Sequence, residues 1–310
     1  MAAIRVNRDV RILQSQEFND LIRNILVERG RLRGSKLELF MNPENMQIFR
    51  QAFTHSSSNP DNNYELLEFL GDRSVNCELA YYIHERLPRI KNIEWLNKID
   101  HYFKSDKFLA QQSLRIHLDR FIVFGPDFLF ENLTNKDKNH IYEDVFEALM
   151  GAIQLISENV SNSGVGAVII RNIIRSFIKP IEIQLDANLY WDPITRVKEV
   201  YDKMRWLDKG TKMEFFYEIE YDENTQMNTA VFYGYKSNAP QFVGKKRSFQ
   251  YFNTYKEPLG QATAPSELEA VNTAAEQVLI NIRDRYGVEF RAPDPYTIKN
   301  KAIPRAARKI

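Results

Sequence analysis

Between Asn42 and Lys179 the apolar residues recur at helical spacing almost without interruption, and this constrains the fold of the 310-residue chain more than any other feature. Pro60, Pro88, Gly125-Pro126 and Gly164 punctuate the pattern, and no alternation of apolar and polar residues marks a strand within it. Such a segment predicts an all-α domain. Ahead of it, Phe18, Leu21, Ile22, Ile25 and Leu26 share one face of a predicted helix ending near Gly30. That helix lies in a basic stretch, residues 1–36, with eight Lys/Arg against four Asp/Glu.

The helical pattern breaks at Lys179-Pro180, and Asp192-Pro193 opens a different unit. Residues 193–206 read as a helix, followed by three aromatic and β-branched stretches, "MEFFYEIEYD", "NTAVFYGYK" and "QFVGKKRSFQYF", that read as strands. A helix over 266–286 closes the unit, with Ser266 at its cap and Glu269 at the capping-box position. The order is α-β-β-β-α. The expected fold class is therefore α+β and multidomain, with a basic extension (1–41), an all-α domain (42–180), a linker (181–191), a small α-β-β-β-α domain (192–287) and a basic tail (288–310) carrying Lys299, Lys301, Arg305, Arg308 and Lys309.

A formal net charge of +1, from 42 basic and 41 acidic residues, excludes a polybasic protein of the histone kind while allowing local basic patches. The single cysteine, Cys77, excludes a disulfide framework or a cysteine-based zinc site within one chain and suits a reducing compartment. It lies in a helical pattern and reads as a buried thiol. The N-terminus lacks an apolar leader, and no run of about 18 apolar residues occurs, so the expectation is a soluble intracellular protein without a membrane partner.

Two predicted helices carry an unusual load. In "YELLEFLGDR" (64–73), Glu65, Glu68 and Asp72 are spaced i, i+3 and i+7 and fall within about 60° of one another. Leu66, Leu67 and Leu70 face the other way as an ordinary buried stripe. Like charges so placed repel by a few tenths of a kcal/mol each when exposed and by more when partly buried, so something positive is expected in front of them. The second helix, "YEDVFEALMGAI" (142–153), places Asp144 and Glu147 on one face at i,i+3, with Ala148 and Gly151 beside them to admit another backbone or a substrate. Val145, Phe146 and Leu149 supply apolar contact elsewhere around it.

Two such helices can offer four oxygen donors to a hard divalent cation such as Mg²⁺, which can activate a water and stabilise charge on a phosphate oxygen. On spacing alone the alternative stands, because carboxylates at helical spacing are mostly solvated faces. His55, His84, His101, His117 and His140 show no i,i+4 ligand pairing, which argues against zinc.

"QAFTHSS" (51–57), "YELLEFLGDR" (64–73), "KSDKFLA" (104–110) and "YEDVFEALMGAI" (142–153), in that order and at that spacing, resemble the ribonuclease III signature over about residues 42–180. The resemblance implies a Mg²⁺-dependent endonuclease of double-stranded RNA, with Mn²⁺ able to substitute. It implies a homodimer of all-α domains forming a valley over the duplex, each protomer cutting one strand. The products would carry 5′-phosphate and 3′-hydroxyl ends with two-nucleotide 3′ overhangs. Carried over by position, Glu68, Asp72, Asp144 and Glu147 are the implied metal ligands and catalytic residues, with loss of Glu147 the most damaging. Glu65 matches an additional acidic member in a supporting role. A further acidic position of the family falls on Ile93, with Glu94 one place away, and is unassigned. The competing class is a non-catalytic scaffold on the same fold, bound to RNA or ribosomes; such relatives tend to lose the carboxylates that this chain keeps.

The second domain resembles the double-stranded RNA-binding domain that usually follows, in its element order and its Asp192-Pro193 opening. "TAPSELEAVNTAAEQVL" (263–279) keeps the "AAEQ" body but puts Ser266 and Glu267 where the family carries lysines, and "YDENTQMN" replaces the usual His-bearing loop. Carboxylates there would repel phosphate. Two readings follow: weak RNA binding through Lys245, Lys246, Arg247 and the basic tail, or a protein-interaction module, which is slightly favoured. The compartment is cytoplasm or nucleus, or the host cell if the source is viral.

Overall fold

The computed structural model describes residues 9–161, 164–207, 212–237 and 257–298. The chain divides into two compact units, residues 1–184 together with 295–310, and residues 185–294. Among the described residues no helix is long and apolar enough to cross a membrane.

The first unit is helical. Its helices are α1 (Gln16–Asn24), α2 (Gly34–Phe40), α3 (Pro43–Gln51), α4 (Glu65–Arg86), α5 (Ile93–Phe103), α6 (Asp106–Arg115), α7 (Asn135–Ser161) and α8 (Val165–Ile178). Sequence chemistry sets the starts: Ser15, Asn42 and Ser105 accept a backbone N–H from the first turns of α1, α3 and α6. Helix α1 runs on into one turn of π-helix, Ile25–Arg29, and its apolar face docks on the body, with the Phe18 ring 5.1 Å from Phe53 and 5.6 Å from Phe121. Residue 295 also belongs to this unit: the Pro295 carbonyl accepts from the amides of Lys91 (2.9 Å) and Asn92 (3.0 Å).

Helices α4 and α7 form the central pair. They cross through Gly71 and Gly151, so closely that a Cβ on Gly71 would lie 1.8 Å from the Glu147 carbonyl oxygen and one on Gly151 would lie 1.9 Å from that of Leu67. The small residues flanking the α7 carboxylates thus admit the backbone of α4. Behind the crossing, Val75 and Leu79 of α4, Leu109 of α6, Phe146 of α7 and Phe177 of α8 are all buried.

Two expectations on α4 are overturned. Leu66 is 63% exposed and Phe69 49% exposed, so the apolar stripe is only Leu67 and the half-buried Leu70. The crossing with α7 takes up the Gly71 side of the helix and leaves Leu66 and Phe69 turned outward. Cys77 is exposed and not a buried thiol, because Val75, Glu78 and Leu79 occupy the inward positions of that turn.

The second unit contains the short α9 (Ala187–Tyr190), α10 (Pro193–Leu207), strands β1 (Lys212–Asp222), β2 (Met227–Ser237) and β3 (Glu257–Ala264), and α11 (Glu267–Tyr286). The sheet is antiparallel in the order β1-β2-β3, with Phe216 opposite Tyr233 and Ala230 opposite Ala262. Val197 and Val200 of α10, Phe232 and Leu259 of the sheet, and Val271 and Val278 of α11 form its core. Ser266 caps α11 by accepting the Glu269 amide at 3.3 Å.

The third described strand is Glu257–Ala264, beyond "QFVGKKRSFQYF". Its Pro258 and Gly260 disguise it in sequence. Among the described residues β3 pairs with β2 alone, an edge position that tolerates proline, and Gly260 lets the sheet lie against α11, where a Cβ would meet the Ala274 carbonyl at 2.8 Å. Lys245, Lys246, Arg247 and the basic residues of the tail lie outside the described residues.

Candidate metal centre

Helix α4 begins where the Asn63 side chain accepts the Glu65 amide (3.0 Å), and its close crossing with α7 at Gly71 puts Glu68 and Asp72 near the α7 carboxylates. From α7, Asp144 and Glu147 face them across the glycine crossing. The structure brings these four carboxylates into mutual electrostatic range: the charges of Asp72, Glu68 and Asp144 all act on Glu147, and those of Asp144 and Asp72 act on Glu68. Glu65, one turn before Glu68, is exposed at the edge of the cluster, where its charge still reaches Asp144.

Two of the four central carboxylates, Asp144 and Asp72, are held by neighbouring side chains. Tyr64 donates its hydroxyl to Asp144 Oδ2 at 3.1 Å, and Asn76 donates Nδ2 to Asp72 Oδ1 at 2.6 Å. Arg73 donates to Asp72 Oδ2 at 3.2 Å and to the Phe69 carbonyl at 2.7 Å, with its guanidinium 3.5 Å over the Phe69 ring.

Glu147 is 3% exposed, and burial, then the charges of Glu143, Asp72, Glu68 and Asp144, push its pKa up to about 9. Burial is also the leading cause of the upward shifts of Glu68, Asp144 and Glu143, reinforced by neighbouring carboxylates. A cluster in which several carboxylates resist ionisation is a site short of positive charge.

Three more residues join the cluster that sequence reasoning missed. His140 Nδ1 lies 3.1 Å from Glu143 Oε2, 3.7 Å from Asp144 Oδ1 and 3.8 Å from Asp106 Oδ2. Ligand atoms of Asp106, His140 and Glu143 all lie within 4.8 Å of one another. Burial pulls the His140 pKa down, but the facing carboxylates of Asp144, Glu143 and Asp106 outweigh it and the net shift is upward. The expectation that His140 has no i,i+4 ligand partner is overturned, since Asp144 stands at i+4 and Glu143 at i+3 on the same helix face, whereas the arrival of Asp106 from α6 was not readable in sequence. The donor set fits a divalent metal. It is oxygen-rich, converges from two helices, and contains a buried carboxylate whose charge the protein's own cations do not offset.

A family model described as ribonuclease-III-like matches residues 45–173. Over 298 residues the chain is 27% identical to "Putative ribonuclease 3" of Invertebrate iridescent virus 6, an alignment covering 91% of this chain and 93% of that protein. It is 29% identical to "Ribonuclease 3" of Campylobacter concisus over 155 residues, covering 50% of this chain and 65% of the relative. Among solved structures, the nuclease domain of a Campylobacter jejuni ribonuclease III aligns at 25% identity with a TM-score of 0.37, covering 51% of this chain and 98% of that one.

Proposed function

We propose that this chain, whose residues 45–173 form a ribonuclease-III-like endonuclease domain, cuts double-stranded RNA with the help of divalent metal, leaving 5′-phosphate and 3′-hydroxyl ends with two-nucleotide 3′ overhangs. The observation that carries the reading is Glu147: a carboxylate 3% exposed, subject to the charges of Glu68 and Asp72 across a helix crossing that has no room for a side chain and of Asp144 on its own helix. Burying such a group is costly unless a cation compensates it.

Glu68, Asp72, Asp144 and Glu147 would hold the metal, and Mg²⁺ there would supply the Lewis acid that activates water and neutralises charge developing on the scissile phosphate. The chain's own contribution is positioning. The Tyr64 hydroxyl orients one oxygen of Asp144, and the Asn76 amide and Arg73 together fix both oxygens of Asp72. His140, one turn before Asp144, keeps a protonatable nitrogen beside the carboxylates. Glu65 supports the edge of the site.

The domain reading is a nuclease module over 42–180, preceded by a docked extension and followed by the small 192–287 domain. Exposed Leu66 and Phe69 beside the site support a homodimer through the nuclease domain. For the small domain a protein-interaction role is favoured over RNA binding. Glu267 and Glu269 sit in the first turn of α11, and Asp222 and Glu223 sit at the β1–β2 hairpin, where they would repel phosphate.

The test is cleavage of a long, uniformly labelled RNA duplex by wild type and Glu147→Gln, in Mg²⁺ and in Ca²⁺. The expected result is short duplex products from wild type in Mg²⁺ alone, with a rate loss on the order of 100-fold or more in the variant. Duplex bound but uncut in every lane would replace the enzyme with a double-stranded-RNA-binding scaffold.

A further inference from the structure

At the far end of α4, fourteen residues and therefore about 21 Å along the helix from Asp72, the protein holds a cavity of ≈ 550 Å³. Its lining includes Arg29 and Arg31 from the N-terminal extension, Tyr82 and Arg86 from the last turns of α4, and Arg175 and Lys179 from the end of α8. Two acids also line it, and both are engaged: Glu85 pairs with Arg175, and Glu28 lies 3.9 Å from Arg33. Among the described residues no carboxylate pairs with Arg29, Arg31, Arg86 or Lys179. Four unopposed cations thus converge on one concavity.

The wall that carries two of them is rigid. Asn172 donates Nδ2 to the Gly30 carbonyl at 3.1 Å, and Arg29 donates to Ser176 Oγ at 3.1 Å while its guanidinium lies 4.5 Å over the Phe177 ring. Gly30 is pressed so closely that a Cβ would meet Ile169 Cγ2 at 2.7 Å and the Leu26 carbonyl at 2.8 Å. The next residue, Arg31, is held at φ 58°, a left-handed conformation that a non-glycine residue keeps only when its surroundings impose it. Arg175, on the same helix as Asn172 and Ser176, is committed to Glu85 through Nη2, and its buried Nε has no hydrogen-bond partner. Unopposed guanidinium and ammonium groups converging on one recess suit an anion with several acceptor oxygens. Arg29, Arg31, Arg175 and Lys179 all fall outside residues 45–173, the range the family model matches.

We propose that this cavity binds a compact oligophosphate, the triphosphate group of a nucleotide or inorganic tripolyphosphate, gripped by Arg29, Arg31, Arg86 and Lys179. The volume is that of a small-ligand pocket, and guanidinium forks match phosphate oxygens in pairs. An RNA duplex presents a convex backbone to the surface and cannot bring several phosphates into a recess of this size.

The test is calorimetric titration of the full chain with ATP and separately with tripolyphosphate, in EDTA so that no metal bridges ligand to the carboxylate cluster. Both should bind, and affinity should fall with added salt. Arg31→Glu combined with Arg86→Glu should weaken binding at least 100-fold, and Arg86→Gln about tenfold, with circular dichroism confirming the fold. If the double reversal does not fold, the milder variant carries the test. Tighter binding of ATP assigns the nucleotide as the source and equal binding assigns the free triphosphate group; either upholds the site. No binding of either ligand, affinity unchanged in Arg86→Gln, or displacement of tripolyphosphate by a blunt 5′-hydroxyl RNA duplex would overturn it.

Discussion

Replacing Gly71 by alanine tests whether the α4–α7 crossing sets the geometry of the carboxylate cluster. In an open helix the change stabilises by about 0.5–1 kcal/mol, because alanine surrenders less backbone freedom on folding. Here the new methyl would lie 1.8 Å from the Glu147 carbonyl oxygen, where real Cβ contacts keep at least 3.0 Å. The obstacle is helix backbone and cannot rotate away, so the helices must part by about 1.2 Å, an overpacking cost of roughly 1–3 kcal/mol or more. The net expectation is destabilisation by about 1–2 kcal/mol, opposite in sign to the open-helix effect. Because Glu68 and Asp72 ride on one helix and Asp144 and Glu147 on the other, a shift of this size should also lower the cleavage rate by about 100-fold. Urea unfolding reads the first quantity and single-turnover cleavage of a labelled duplex the second. A Gly71→Ala protein at least as stable as wild type, cutting at the wild-type rate, would refute the claim that this contact positions the site.

Stability without metal should fall as pH rises from about 5 to 9. In that window the folded chain keeps on Glu147 a proton that the unfolded chain, with an ordinary value of 4.5 against about 9, has released. Melting temperatures in EDTA across that range should show a shallower slope for Glu147→Gln than for wild type, and equal slopes would contradict the assignment. Arg171 makes a two-pronged contact with buried Glu78, Nε to Oε2 at 2.6 Å and Nη2 to Oε1 at 3.1 Å, so Arg171→Met should cost about 2–4 kcal/mol in denaturant melts by stranding that carboxylate. If exposed Leu66 and Phe69 form part of a dimer face, Leu66→Glu with Phe69→Glu should yield a monomer by analytical ultracentrifugation with little change in melting temperature. An unchanged sedimentation coefficient would remove them from any such interface.

What could be read from the sequence, and what could not, separates along a physical line. Helix content, the cap at Ser266 and the shared faces of Glu68 with Asp72 and of Asp144 with Glu147 are local properties, fixed by 3.6-residue periodicity and by side chains acting within a turn or two. The inward face of α4 is not local. Leucines on both flanks of its carboxylates allowed several rotations about the axis, and Gly71, by admitting α7, selected the one that exposes Leu66 and Phe69. Cys77 was misjudged for the same reason. Strand β3 was hidden because its place beside β2 alone among the described strands, invisible in sequence, is what makes Pro258 acceptable.

The cluster combines both kinds of information. Asp144 and Glu147 advertise themselves through spacing, whereas Asp106 arrives from α6 and adds a carboxylate near His140 from another helix. That third contribution matters for the electrostatics. With Glu143 and Asp106 included, negative charge surrounds Asp144 from α4, α6 and α7 together, while Arg73 pairs with Asp72 and its charge reaches Glu68, and His140 lies beside Asp144 as a cation that pH can remove. A site in which the fold itself supplies so little compensation pays in stability at neutral pH. The same deficit predicts that a divalent cation should raise the melting temperature more than a monovalent one at equal concentration, since attraction grows with the charge of the ion, and equal shifts would contradict it.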